Sequence, residues 1–154
     1  MKRFLWTALI CCIASPLFAV DLSITAANVA ASSGAQYADG TAGATITAGQ
    51  AVYLDTSANT YKLADCDATA ATAVIAGIAL NGASSGQPIK IQTAGTIAIG
   101  GTVTVGEIYV LSGTAGGIAP EGDLAQNDRV VLVGVGLTSS TIALRLYNSA
   151  VQVP

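Results

Sequence analysis

Apolar and polar positions alternate with a period of two along much of the chain. In PIKIQTAGTIAI, Pro88–Ile99, Ile89 and Ile91 fall on one face while Lys90 and Gln92 fall on the other. That is the pattern of an antiparallel strand with one face buried and one in water. The segments TITAGQAVYL, AVIAGIAL, TVTVGEIYVL, RVVLVGVGL and STIALRLY are rich in Val, Ile, Thr and Tyr, and Gly, Asn, Asp or Ser separates them. They too predict strands. Beyond the first residues no stretch of ten or more holds a helical period. The one segment with helical leaning is ADCDATAATA, Ala64–Ala73, where Asp65 or Asp67 is placed to cap a short turn; its Thr content suits a loop equally.

Sliding the chain along itself brings GATITAGQAVYL, Gly43–Leu54, onto GGTVTVGEIYVL, Gly100–Leu111. At this offset of 57, Thr45, Thr47, Gly49 and Leu54 meet Thr102, Thr104, Gly106 and Leu111. The register continues without a gap through Val74 and Val131, Gly77 and Gly134, and Leu80 and Leu137. Glycines and apolar positions stay in phase across both segments, which predicts a duplicated β unit covering about 42–80 and 99–137. Each unit reads as a strand, a Gly turn, a second strand, an acidic Ala-rich loop and a third strand broken by Gly. The interior glycines Gly77, Gly134 and Gly136 predict bulges or close backbone approach, which let short strands bend. The expected fold is all-β, a small β-barrel or sandwich of six to nine strands built from the duplicated unit, with an extended N-terminal arm.

The two ends of this plan differ in character. Residues 1–19, MKRFLWTALICCIASPLFA, have Lys2 and Arg3 ahead of an eleven-residue apolar run, then Pro16 and a small residue at Ala19. This is the layout of a secretory signal peptide cut before Val20. The run falls short of the ~20 apolar residues that span a bilayer; an uncleaved apolar segment packed on a partner is the other reading. Residues 20–41 are Ala- and Ser-rich, with scattered apolar positions at Leu22, Ile24 and Val29, and predict an extended arm, free or laid on a neighbour. Residues 42–154 form the β domain.

Setting residues 1–19 aside changes the composition. Both Phe, the Trp, the Met and two of the three Cys lie there. Residues 20–154 have five Tyr as their only aromatics, no His, and Lys62, Lys90, Arg129 and Arg145 as their only cations against nine acids, a formal charge of −5. An acidic chain without a basic patch argues against nucleic-acid partners and, for the mature form, against an anionic membrane surface. Cys66 has no partner for an internal disulfide, and its neighbours Asp65 and Asp67 disfavour the thiolate, so it reads as an inert thiol.

Candidate chemistry is correspondingly thin. GASSG, Gly82–Gly86, matches the nucleophile-elbow spelling with Ser84 as nominal nucleophile, but the motif needs a His base and a following helix, and neither is present. GTAGG, Gly113–Gly117, lacks the Lys and the Ser or Thr of a phosphate loop and reads as a hairpin turn. Asp65 with Asp67, and Glu121 with Asp123, offer carboxylates two residues apart, but neither pair continues into the further ligand positions of a calcium loop. With no His and one thiol, zinc is not expected. The sequence therefore predicts no enzyme, no cofactor, and no catalytic or metal-binding residues.

TAGATITAGQAVYLD, KLADCDA, IAGIALNGASSGQPIKIQTAGTIAIGGTVTVGEIYVLSGTAGGIAP and DRVVLVGVGLTSSTIALRL, together Thr41 to Leu146, resemble tailed-phage head-decoration or capsid-cement proteins. The resemblance implies a non-enzymatic β-rich protein on the outside of an assembled head, commonly a homotrimer, that braces the major capsid protein. It supplies no catalytic residues. The N-terminus departs from it, because phage heads assemble inside the cell. The alternative expectation is an exported bacterial surface or periplasmic β-rich binding protein.

Overall fold

The computed structural model describes residues 20–154; the signal-like segment lies outside the described residues. These hold ten strands: β1 Val29–Ala31, β2 Gln36–Thr41, β3 Ala51–Asp55, β4 Thr60–Leu63, β5 Ile75–Ala79, β6 Pro88–Ile99, β7 Ile108–Leu111, β8 Ile118–Pro120, β9 Arg129–Gly136 and β10 Thr141–Gln152. Two 3-10 turns, Ala26–Asn28 and Glu121–Asp123, complete the regular structure. The chain is all-β, as its period-two patterning predicts. Every ladder is antiparallel, and the strands follow the order β4-β3-β5-β6-β10-β9-β7-β8 in a sheet curled into a half-barrel. The strand count exceeds the expected six to nine because the arm contributes: β1 and β2 both lie along β6 of their own chain.

β6 is the strand on which the sheet turns. Its first part pairs with β5 and β2, its last part with β10 and β1. Between them sits Gly95, with φ +88°, a left-handed conformation that costs other L-residues about 1–2 kcal/mol. The β1–β2 connection tucks directly under it, where the Thr96 N–H donates to the Ser33 carbonyl at 2.9 Å.

The register on one side of β6 recurs on the other. Val52, Tyr53 and Leu54 face Leu63, Lys62 and Tyr61 across β3–β4; 57 residues later, Tyr109, Val110 and Leu111 face Pro120, Ala119 and Ile118 across β7–β8. β3 meets β5 as Ala51–Ile78, Val52–Gly77 and Tyr53–Ile75, and β7 meets β9 as Ile108–Val135, Tyr109–Gly134 and Val110–Leu132, each with one bulged residue in the same place. Gly49 and Gly106 both have positive φ, and their N–H groups donate to the carbonyls of Ala79 and Gly136, both at 2.8 Å. The bulges and close approaches expected of the interior glycines are present: a Cβ at Gly77 would strike the Gln92 carbonyl, and one at Gly134 the Ala143 carbonyl.

Burial divides into two apolar clusters. Ile46, Val52, Ile89 and Ile91 fill the smaller one, inside the β2–β6 half. The larger joins the halves: Ala51, Ile75 and Ile78 on the opposite face of β3 and β5 pack with Ile97, Ile99, Tyr109, Leu111, Ile118 and Ile142. Each buried Ile or Leu contributes about 1.5–3 kcal/mol. The patterning expectation for Gln92 fails for this reason. Lys90 faces water, but Gln92 is fully buried, because the β7–β10 half folds over the face that period-two reasoning leaves wet. Its amide is put to structural use, Nε2 donating to the carbonyls of Ala94 and Thr96, both at 3.0 Å, across the bend at Gly95.

Candidate functional site

Ser84 occupies an exposed turn between β5 and β6. Its N–H donates to Gln87 Oε1 at 2.7 Å, and its carbonyl accepts from the Gln87 N–H at 2.9 Å. This is turn chemistry between two antiparallel strands, and the following element is β6, a strand, where a nucleophile elbow needs a helix. Gly113–Gly117 is the β7–β8 hairpin turn, with the Ser112 hydroxyl accepting from the Thr114 N–H at 3.0 Å and Gly116 in the left-handed region.

The acidic pairs do converge in part. The Cys66 backbone ties the Asp65–Asp67 loop to the start of β9, its carbonyl accepting from the Arg129 N–H at 3.0 Å, while its N–H donates to Ser112. Asp123 sits on the 3-10 turn after β8. Asp67 is held above the usual carboxylate range, first by hydrogen bonding to the Asp65 carboxyl and then by desolvation. Asp123 is raised by desolvation and by Asp21 and Asp128. Among the described residues no group of three or more His, Cys, Asp or Glu is placed to hold a metal ion. Asp67 and Asp123 are thus carboxyls whose surroundings favour the protonated form, through a hydrogen bond to Asp65 in one case and desolvation in the other, with neighbouring carboxylates adding to both.

Its sign of pH dependence is fixed. A carboxyl with a raised folded-state pKa favours folding below its unfolded value, and that contribution is lost as pH rises through the folded value. Asp67→Asn is therefore expected to raise the thermal midpoint at neutral pH, by the equivalent of under about 1 kcal/mol at this exposed site. The gain should fade as pH drops and vanish below about pH 3, where the Asp67 carboxyl is protonated in both states. Melting curves of the two chains across that range check it.

The Cys66 thiol is fully buried and its pKa is pushed up to about 12, by burial first and by Asp128, Asp65 and Asp67 after it. The folded chain at pH 8 is expected to resist an aromatic disulfide reagent, with one thiol from this part of the chain reacting at once when urea is added. Rapid labelling without denaturant would contradict the burial.

What patterning misses is surface. A concavity of about 640 Å³, open to solvent, is lined by Ser23, Thr25, Asn28, Thr102, Ser139 and Ser140 with backbone of Gly100 and Gly101. Its lining has hydroxyls and an amide but no titratable side chain. Near the β7 end of the sheet, Val105, Ile108 and Leu137 stand 65%, 37% and 50% exposed. Their register counterparts Ala48 and Ala51 are buried, and Leu80 packs on the larger cluster. The signal for this patch lies in the 57-residue alignment, which sets Val and Ile where the first segment has Ala. Among the described residues no helix is long and apolar enough to cross a membrane.

Compared with protein-family models, curated proteins and solved structures, the chain finds no match in any of the three.

Proposed function

We propose that this chain is a structural virion protein that decorates and stabilises the outside of an assembled phage capsid, bound to the major capsid protein and to further copies of itself, with a homotrimer as the form the resemblance implies. The observation that carries the reading is the run of motifs from Thr41 to Leu146 that resembles head-decoration proteins. The all-β fold agrees with it: short, tightly turned strands present many backbone and small-side-chain surfaces, and a repeating shell multiplies weak contacts by mass action without catalysis. The common register of β3–β5 and β7–β9 supports a second inference, that the two halves are copies of one β unit. Particles assembled without this chain should lose their contents at lower temperature, and added purified chain should restore the wild-type midpoint. No difference between the two particles would overturn the reading.

The signal-like residues 1–19 favour a second reading, an exported surface or periplasmic protein that binds a partner or carbohydrate. It predicts an exported chain whose first residue is Val20.

A further inference from the structure

The β3–β4 and β7–β8 turns share one backbone shape. Asp55 Oδ1 accepts from the Ser57 N–H at 3.0 Å, as Ser112 Oγ accepts from Thr114, and Asn59 has φ +51° where Gly116 has +79°. Their surroundings differ. The β7–β8 turn is docked: the Gly116 N–H donates to the Ala64 carbonyl at 2.7 Å, its carbonyl accepts from Ala51 at 3.0 Å, and a Cβ at Gly116 would meet Leu63 and Gln50. The β3–β4 turn, Thr56–Asn59, is exposed throughout.

The docking platform is also present twice. Ala51, Gln50 and Leu63 correspond in register to Ile108, Glu107 and Pro120. In the first set the platform is closed by the turn and by Leu22 and Ile24 of the arm, which lie beside Ala48 and Gly116. In the second it is open, and carries Val105 and Ile108 in place of Ala48 and Ala51. One chain thus holds an unused plug and an unused socket of the kind it already joins internally.

We propose that the exposed β3–β4 turn of one copy docks on the Val105–Ile108 platform of a second copy, a head-to-tail contact between copies of this chain. The socket's larger apolar side chains supply the area to be buried, and the Asn59 amide brings two donors to a platform flanked by Glu107 and Glu121. A heterologous contact of this kind makes closed rings where the rotation closes and open chains where it does not. The inference rests on the two-unit reading of the fold and not on the capsid.

The test is a complementation experiment on purified chain, read by light scattering after size exclusion. Wild type is expected to associate. Ile108→Glu spoils the socket, and Ala58→Glu places an acid on the plug opposite Glu107 and Glu121, so each variant alone should run as a monomer. Mixed, they should form a two-chain particle, because one intact socket and one intact plug remain. Val105→Asp, at a more exposed position, repeats the socket test, and unchanged melting curves show that the variants fold. A wild type that stays monomeric up to about 1 mM, where even a millimolar contact registers, would overturn the proposal. So would variants that keep the wild-type mass, or a mixture that stays monomeric. Because no capsid is present, failure here is distinct from failure of the virion reading.

Discussion

Gly95→Val is expected to cost about 3–5 kcal/mol, enough to remove much of the stability of a domain this size. Two effects add at this residue. Its φ of +88° disfavours any side chain, and a Cβ would overlap the carbonyl of Gly34 and approach the Ala35 nitrogen to 2.6 Å. Those atoms are backbone, so no rotamer change relieves the overlap. Relief requires the β1–β2 connection to lift off, which gives up the Ser32–Thr96 and Thr96–Ser33 hydrogen bonds. Gly86 separates the two effects: it has φ +85° but nothing within 4 Å of a built Cβ, so Gly86→Ala should cost only about 1 kcal/mol. Urea unfolding of the two variants measures the difference. Equal costs would mean that crowding at the bend of β6 is not what requires glycine there.

The second large effect is an asymmetry. Ile78 and Val135 occupy matching positions, opposite Ala51 and Ile108 respectively. Ile78 is fully buried under the β7–β10 half, whereas Val135 is partly exposed on the open face. Ile78→Ala removes three carbons from a closed cluster and should cost about 2–5 kcal/mol. Val135→Ala removes two from a site that water already reaches, and should cost under about 1 kcal/mol in dilute solution, where copies stay apart. Comparable losses would contradict the placement of one half over the other. A Val135→Ala penalty that grew with protein concentration would point to burial between copies.

The residues that patterning places well are those whose neighbours are local. Ile89 and Ile91 alternate inward and Lys90 outward as expected, the glycines at 77 and 134 sit at bulges, and Ser84 and Gly113–Gly117 are turns. The failures are non-local. TVTV ahead of Gly106 has strand composition, yet the strand begins at Ile108, because Gly106 turns the chain onto the end of β9. Gln92 reads as wet because period two describes one sheet with one core, whereas a second half of the molecule covers its other face. The arm reads as extended, free or laid on a neighbour, because its few apolar residues are scattered; it lies instead along β6 of its own chain, since backbone pairing asks nothing of side-chain pattern. The open platform at Val105 and Ile108 is hidden for a related reason. Val105 and Ile108 resemble core positions in sequence, and they stand at the surface because no turn or arm among the described residues covers them as the β7–β8 turn and the arm cover Ala48 and Ala51.

We propose that this chain is part of a phage particle, and quantitative mass spectrometry of purified particles with assignment of the first residue is the test of that proposal. The chain is expected in near-stoichiometric ratio to the major capsid protein. Its absence from particles, together with recovery of an exported chain beginning at Val20, would contradict it.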